Sequence, residues 1–160
     1  MLAVGATLTI AGSLLLAGPV GADNGKGGGE GGRPFHLALT GAQEIPVNAD
    51  GAADHGSVTL RLNQGAGRVC WRFGPLALKA GEALPSAGHI HRGAVGVAGP
   101  VVVPLFTTAA TAPTAYPTRP TCVNADPALV KEIRQHPADF YVNLHNATHP
   151  SGVVRGQLHK

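Results

Sequence analysis

Aromatic side chains and charges are scarce in this chain, at 4% and 13% of its 160 residues. The basic residues are scattered and no aromatics are interleaved among them, so the stacking and phosphate contacts of a nucleic-acid surface have no source. Only two cysteines occur, and they do not form a Cys-x-x-Cys pair, which argues against a thiolate zinc site. Ser57, Ser86 and Ser151 lack a Gly-x-Ser-x-Gly elbow, and the 9 acidic residues are too dispersed to nominate a carboxylate pair. Gly93, Gly96 and Gly99 lie between predicted strands and have no lysine after them, so they make a tight loop and not a phosphate cradle.

Glycine (23) and proline (13) are abundant. That composition favours many short strands joined by turns over long helices. The length suits one domain with a proper core. The formal charge of +3 is modest.

Residues 1–22 read as a signal peptide. Leu2 to Ala17 is apolar and small, Gly18 and Pro19 break the run, and Val20-Gly21-Ala22 suits signal peptidase. No Lys or Arg precedes the run, so the charged start of such a leader is missing. At roughly 16 residues the run is short for a membrane span, which leaves an uncleaved anchor as the alternative. Cleavage would leave no membrane span and place the protein outside the cell or in its envelope. Residues 23–33 form a glycine-rich flexible tether, and the folded domain is expected over 34–160. Export would let Cys70 and Cys122 pair as a disulfide. Closing a loop of about fifty residues would stabilise the fold by about 4 kcal/mol on the chain-entropy estimate.

Alternation organises the domain. Phe35, Leu37 and Leu39 share one face of a first strand. Val58, Leu60 and Leu62 alternate with Ser57, Thr59 and Arg61, and after a turn over Asn63 to Gly67 the returning strand carries Val69, Trp71 and Phe73 inward. Val101 to Phe106 is nearly continuous in apolar residues, as in a strand covered on both sides. A long loop, Thr107 to Pro120, follows. One helix is predicted: Asp126 caps it, Pro127 suits its first turn, Leu129, Val130 and Ile133 form its apolar side, and it stops at His136. Phe140, Val142 and Leu144 then alternate with Tyr141, Asn143 and His145, and a final strand runs from Val153 to Leu158. The expected fold is all-β: an antiparallel β-sandwich or Greek-key barrel with one short helix.

The most distinctive stretch is Ala87-Gly88-His89-Ile90-His91-Arg92-Gly93. In a strand His89 and His91 project from one face while Ile90 turns to the core. His145 falls on the polar face of a late strand, and three neutral imidazoles suit copper or zinc with a position left open. His89, His91 and His145 are therefore the candidate metal ligands, with copper favoured by affinity order and zinc second. Ligation needs neutral rings, so binding is expected to weaken as pH falls through roughly 6.5. Polar-face histidines bonded only to backbone or water are the plain alternative. His36, His55, His136, His149 and His159 lie outside these motifs. Glu44 has two readings, an acceptor for an imidazole N–H or a strand-end hydrogen bond to a turn. Asn146-Ala147-Thr148 fits a glycosylation sequon, a tripeptide common by chance.

Several separated motifs resemble the CHRD domain, the module named after chordin. They are Phe35-x-x-x-Leu39-x-Gly41-Ala42-Gln43-Glu44-Ile45-Pro46, Cys70-Trp71, Gly88 to Gly93 with Gly99-Pro100-Val101-Val102, Tyr141-Val142-Asn143-Leu144-His145, and Gly152 to Leu158. The resemblance runs in order over roughly residues 34 to 159. It implies a secreted, mostly β domain, and the growth-factor antagonism of chordin implies an extracellular protein partner. A local second resemblance is to Cu/Zn superoxide dismutase, a Greek-key barrel with copper ligands on an outer face. It rests on the His-x-His strand, Val142-x-Leu144-His145 and Arg155. The chain departs from that family in lacking a bridging histidine shortly after His91 and a His/Asp-rich zinc loop, and Arg155 sits in a stretch of CHRD type. The leading expectation is a secreted binding module with a histidine metal site. A metal-free extracellular interaction domain is the alternative, and a copper redox enzyme of dismutase type the second.

Overall fold

Among the described residues the chain forms eight strands: β1 (Phe35–Thr40), β2 (His55–Asn63), β3 (Arg68–Phe73), β4 (Ala87–Arg92), β5 (Val101–Thr107), β6 (Thr121–Asn124), β7 (Phe140–His145) and β8 (Val154–Gln157). A computed structural model describes residues 34–109 and 115–160 together with Met1. The expected leader, the tether and the middle of the Thr107–Pro120 loop lie outside the described residues.

All pairings are antiparallel, in the order β5-β4-β7-β8-β1-β2-β3-β6. The two edge strands, β5 and β6, approach each other and bring the sheet to a nearly closed barrel. Barrel closure is the better solution here than a two-sheet sandwich, because it leaves little unpaired edge. β4, β5 and β6 follow one another around the wall, and β7 returns to lie beside β4. That Greek-key step sets the His145 strand against the His-x-His strand.

Inside, the alternation behaves as the sequence predicts. Leu37, Leu39, Val58, Leu60, Leu62, Trp71 and Phe73 are buried, as are Ile90, Val142 and Leu144 from the other half of the wall. Each such side chain stabilises the fold by roughly 1.5–3 kcal/mol on burial. The helix α1 (Pro127–Gln135) lies between β6 and β7 in the chain, where it was expected. Asp126 caps it by accepting from the Ala128 N–H at 2.8 Å, and Val130 and Ile133 are fully buried.

Two expectations need correction. β5 is not covered on both sides: Val103 and Leu105 are buried, but Val101 and Pro104 are exposed. It is an edge strand, and an edge tolerates the missing N–H of a proline. The sequence reading also omitted β6, four residues without a readable alternation. Its existence is tertiary, since Cys122 is bridged to Cys70 and its strand pairs with β3 in register Cys70↔Cys122. The disulfide itself is as expected.

Candidate metal centre

Ile90 is wholly buried in the barrel, so the two-residue strand period turns His89 and His91 to the outer face of β4. The β4–β7 register places Ala87 opposite His145, His89 opposite Asn143 and His91 opposite Tyr141. His145 is therefore one step diagonal from His89. On its other side β4 meets β5 through two one-residue register shifts, at Gly88/His89 and Ile90/His91. Irregularities of this kind re-aim side chains next to functional sites.

The three predicted ligands come together. Their ring centroids lie 5.5 Å (His89–His91), 4.9 Å (His89–His145) and 5.4 Å (His91–His145) apart. One nitrogen from each falls within 4.8 Å of the others. His91 Nε2 and His145 Nε2 are 3.3 Å apart. Two nitrogens bound tetrahedrally at 2.0–2.1 Å to one ion would be about 3.3 Å apart.

The orientation of two rings is set from behind. His91 Nδ1 lies 2.9 Å from the Gly99 carbonyl, and His145 Nδ1 lies 3.0 Å from the Pro150 carbonyl. A carbonyl only accepts, so each Nδ1 carries the proton and each Nε2 presents a lone pair. Two lone pairs facing at that distance repel unless a cation or a proton lies between them. His89 Nδ1 is buried with no hydrogen-bond partner.

Electrostatics keep the rings neutral. Burial lowers the pKa of His145 to about 4, and the neighbouring His89 and His91 add to the effect. Burial also lowers His89, with His91 assisting. For His91 burial lowers the pKa, the Gly99 hydrogen bond opposes that, and the Arg155 charge adds to the lowering. The expected competition with protons near 6.5 therefore moves to more acidic pH.

A layer of polar residues backs the triad. The Tyr141 ring stacks on His91 at 4.9 Å and 12°, and the Arg155 guanidinium lies over the Tyr141 ring, 3.4 Å from its centroid. Arg155 donates to the carbonyls of Val97 at 2.9 Å and Ala94 at 3.0 Å, and to Gln157 Oε1 at 3.2 Å. It thus pins the Gly93–Gly99 loop, whose last carbonyl orients His91. The Gly99 N–H also donates to the Tyr141 hydroxyl at 3.0 Å. A side chain at Gly99 would collide with the Arg92 carbonyl, so only glycine lets the loop return this closely.

Glu44 follows neither of its two readings. It is buried and accepts from Asn143 Nδ2 at 3.2 Å, not from an imidazole or a turn. Burial raises its pKa to about 8, against the lowering by Asn143 and Arg155. Gly152, at φ +145°, makes room for it: a Cβ there would strike the carboxylate. Asn146 is buried too, donating to Glu82 Oε1 at 2.6 Å and the Ala83 carbonyl at 2.8 Å, so its amide nitrogen serves the fold. His149 pairs with Glu82 at 3.1 Å and His36 with Thr59 at 3.1 Å. Neither joins the triad, nor do His55, His136 and His159. Sequence reasoning missed Tyr141, Asn143 and Arg155 as parts of the site. Their alternation with core residues was visible, but not the loops that bury them.

Fold and site together define a class: an antiparallel β-barrel module carrying a three-imidazole centre on its outer wall. The CHRD domain model matches residues 35–158, and the chain belongs to the CHRD domain family. No curated protein and no solved structure matches it, and the resemblance to superoxide dismutase finds no support.

Proposed function

We propose that this CHRD domain is an exported binding module that holds one metal ion, copper in preference to zinc, on His89, His91 and His145. The observation that carries the reading is the 3.3 Å approach of two Nε2 atoms whose Nδ1 atoms are both committed to carbonyls. Neutral nitrogen donors suit both metals, and affinity order favours copper. Export is supported by the leader-like residues 1–22 and the Cys70–Cys122 disulfide, which needs an oxidising compartment. Elemental analysis of aerobically purified, metal-exposed protein should give one equivalent. His89→Ala, His91→Ala and His145→Ala should each lose it, and His36→Ala, His136→Ala and His159→Ala should keep it. Metal-free wild-type protein after exposure to both copper and zinc would end the proposal. Dismutase chemistry forms no part of it, because Arg155 is buried and bonded to carbonyls rather than presented to an incoming anion.

A second reading, an extracellular protein-interaction domain, draws on exposed Val95 and Val97 in the loop beside His91 and Val101 just beyond it. Pull-down of a defined partner that Val95→Asp abolishes, with metal content unchanged, would favour this second reading.

A further inference from the structure

The donor set contains no negative charge. Among the described residues no Cys, Asp or Glu joins the three histidines as a common ligand group. Arg155 is a permanent cation lying over the Tyr141 ring, which stacks on His91. The carboxyl group that reaches this polar row is Glu44, through Asn143, the residue opposite His89. It is buried, and desolvation holds its proton on to about pH 8. The carbonyls of Gly99 and Pro150 orient the rings where other metal centres use carboxylates. A divalent ion on this site would bring two positive charges into a half-buried, already cationic corner, and unpaired charge there is costly.

The same geometry leaves room for what is missing. His91 is covered on the side of the Gly93–Gly99 loop, whereas His89 and His145 are only half-buried. The face of the triad that they share is therefore open to water. Because both rings are partly exposed, a ligand of a few atoms can approach the ion from that side.

We propose that the His89–His91–His145 centre takes a small monovalent anion as its fourth ligand, and that metal and anion bind as a linked pair. This rests on the metal-binding reading above and goes beyond it by naming the ligand class. Linkage is reciprocal: an anion that binds only the loaded site tightens the metal by the same factor. Ala87, half-buried and directly opposite His145, offers a control. Ala87→Asp would place a carboxylate of the protein's own at the centre.

The test is copper(II) affinity of the full chain, by competition with a chromophoric chelator, in azide and in perchlorate of equal ionic strength. Perchlorate controls for screening because it does not coordinate. Azide is expected to tighten copper by about tenfold over perchlorate, within the usual range of linked sites, and to give a saturable azide-to-copper absorption band. In Ala87→Asp the azide effect should shrink severalfold. Equal affinity in the two salts would overturn the anion proposal while leaving the metal site standing, as would an azide effect unchanged in Ala87→Asp. Absence of copper binding in either salt would instead remove the metal reading on which it rests.

Discussion

The β2–β3 wall and the β4–β7–β8 wall are built on the same inward alternation but differ outside. On β2 and β3 the outward residues Ser57, Arg68 and Arg72 are exposed, and Thr59 and Arg61 are half-exposed. On the other wall His91, Tyr141, Asn143 and Arg155 face outward yet are only 8%, 2%, 3% and 2% exposed, and His89 and His145 beside them are half-buried. Loops make the difference: Gly93–Gly99 closes over one end, held by Arg155, and the turn before Val153 closes over the other. A polar group removed from water must find a partner or lose stability. Hence the covered wall carries a stacked and hydrogen-bonded network, and the open wall carries polar side chains that reach water. A site of fixed geometry arises on the covered wall because its polar residues have nowhere else to go.

Arg155→Ala should be the sharpest break in that contrast. It removes a buried guanidinium that donates to the Val97 and Ala94 carbonyls and so ties down their loop, and a loss of about 3–5 kcal/mol in urea unfolding is expected. By freeing the loop that orients His91, it should also weaken metal binding by about 10–100-fold. The open wall has one strong element of its own, the disulfide. Replacing both Cys70 and Cys122 by Ala should cost about 2–4 kcal/mol and leave metal stoichiometry untouched. Non-reducing peptide mapping of the native protein should find the bridge, and two alkylatable thiols would remove this expectation.

Glu44→Gln probes the covered wall through pH. The folded pKa of Glu44 is raised to about 8 from an ordinary 4.5. Its contribution is therefore complete below pH 4.5 and is lost as pH rises through 8, because the folded state retains a proton the unfolded state has released. Between pH 6.5 and 8.5 the metal-free wild-type protein should lose about 2 kcal/mol more than Glu44→Gln does. Parallel pH profiles for the two proteins would mean that Glu44 is ionised in its buried position. The smallest effect is expected from Arg72→Ala on the open wall, within about 0.5 kcal/mol of wild type. A loss comparable to that of Arg155→Ala would erase the distinction between the walls.

The amino-acid sequence by itself determined the local facts. Val58, Leu60 and Leu62, Phe140, Val142 and Leu144, and the His-x-His strand have a period of two, and strand geometry then dictates which residues face the core. The capped helix at Asp126–Pro127 and the three candidate ligands were legible for the same reason, since each depends on neighbours a few positions away. Only the tertiary structure decided the rest. The Greek-key return brings β7 beside β4 and so sets His145 within reach of His89, a contact between residues 56 apart in number (145 against 89). β6 exists only because β3 and a disulfide hold it, and the outward residues of β7 and β8 are buried only because distant loops fold over them. Hydrophobic alternation encodes which side of a strand faces inward. It does not encode which outer faces a loop will later cover, because covering depends on chain closure between segments far apart in sequence.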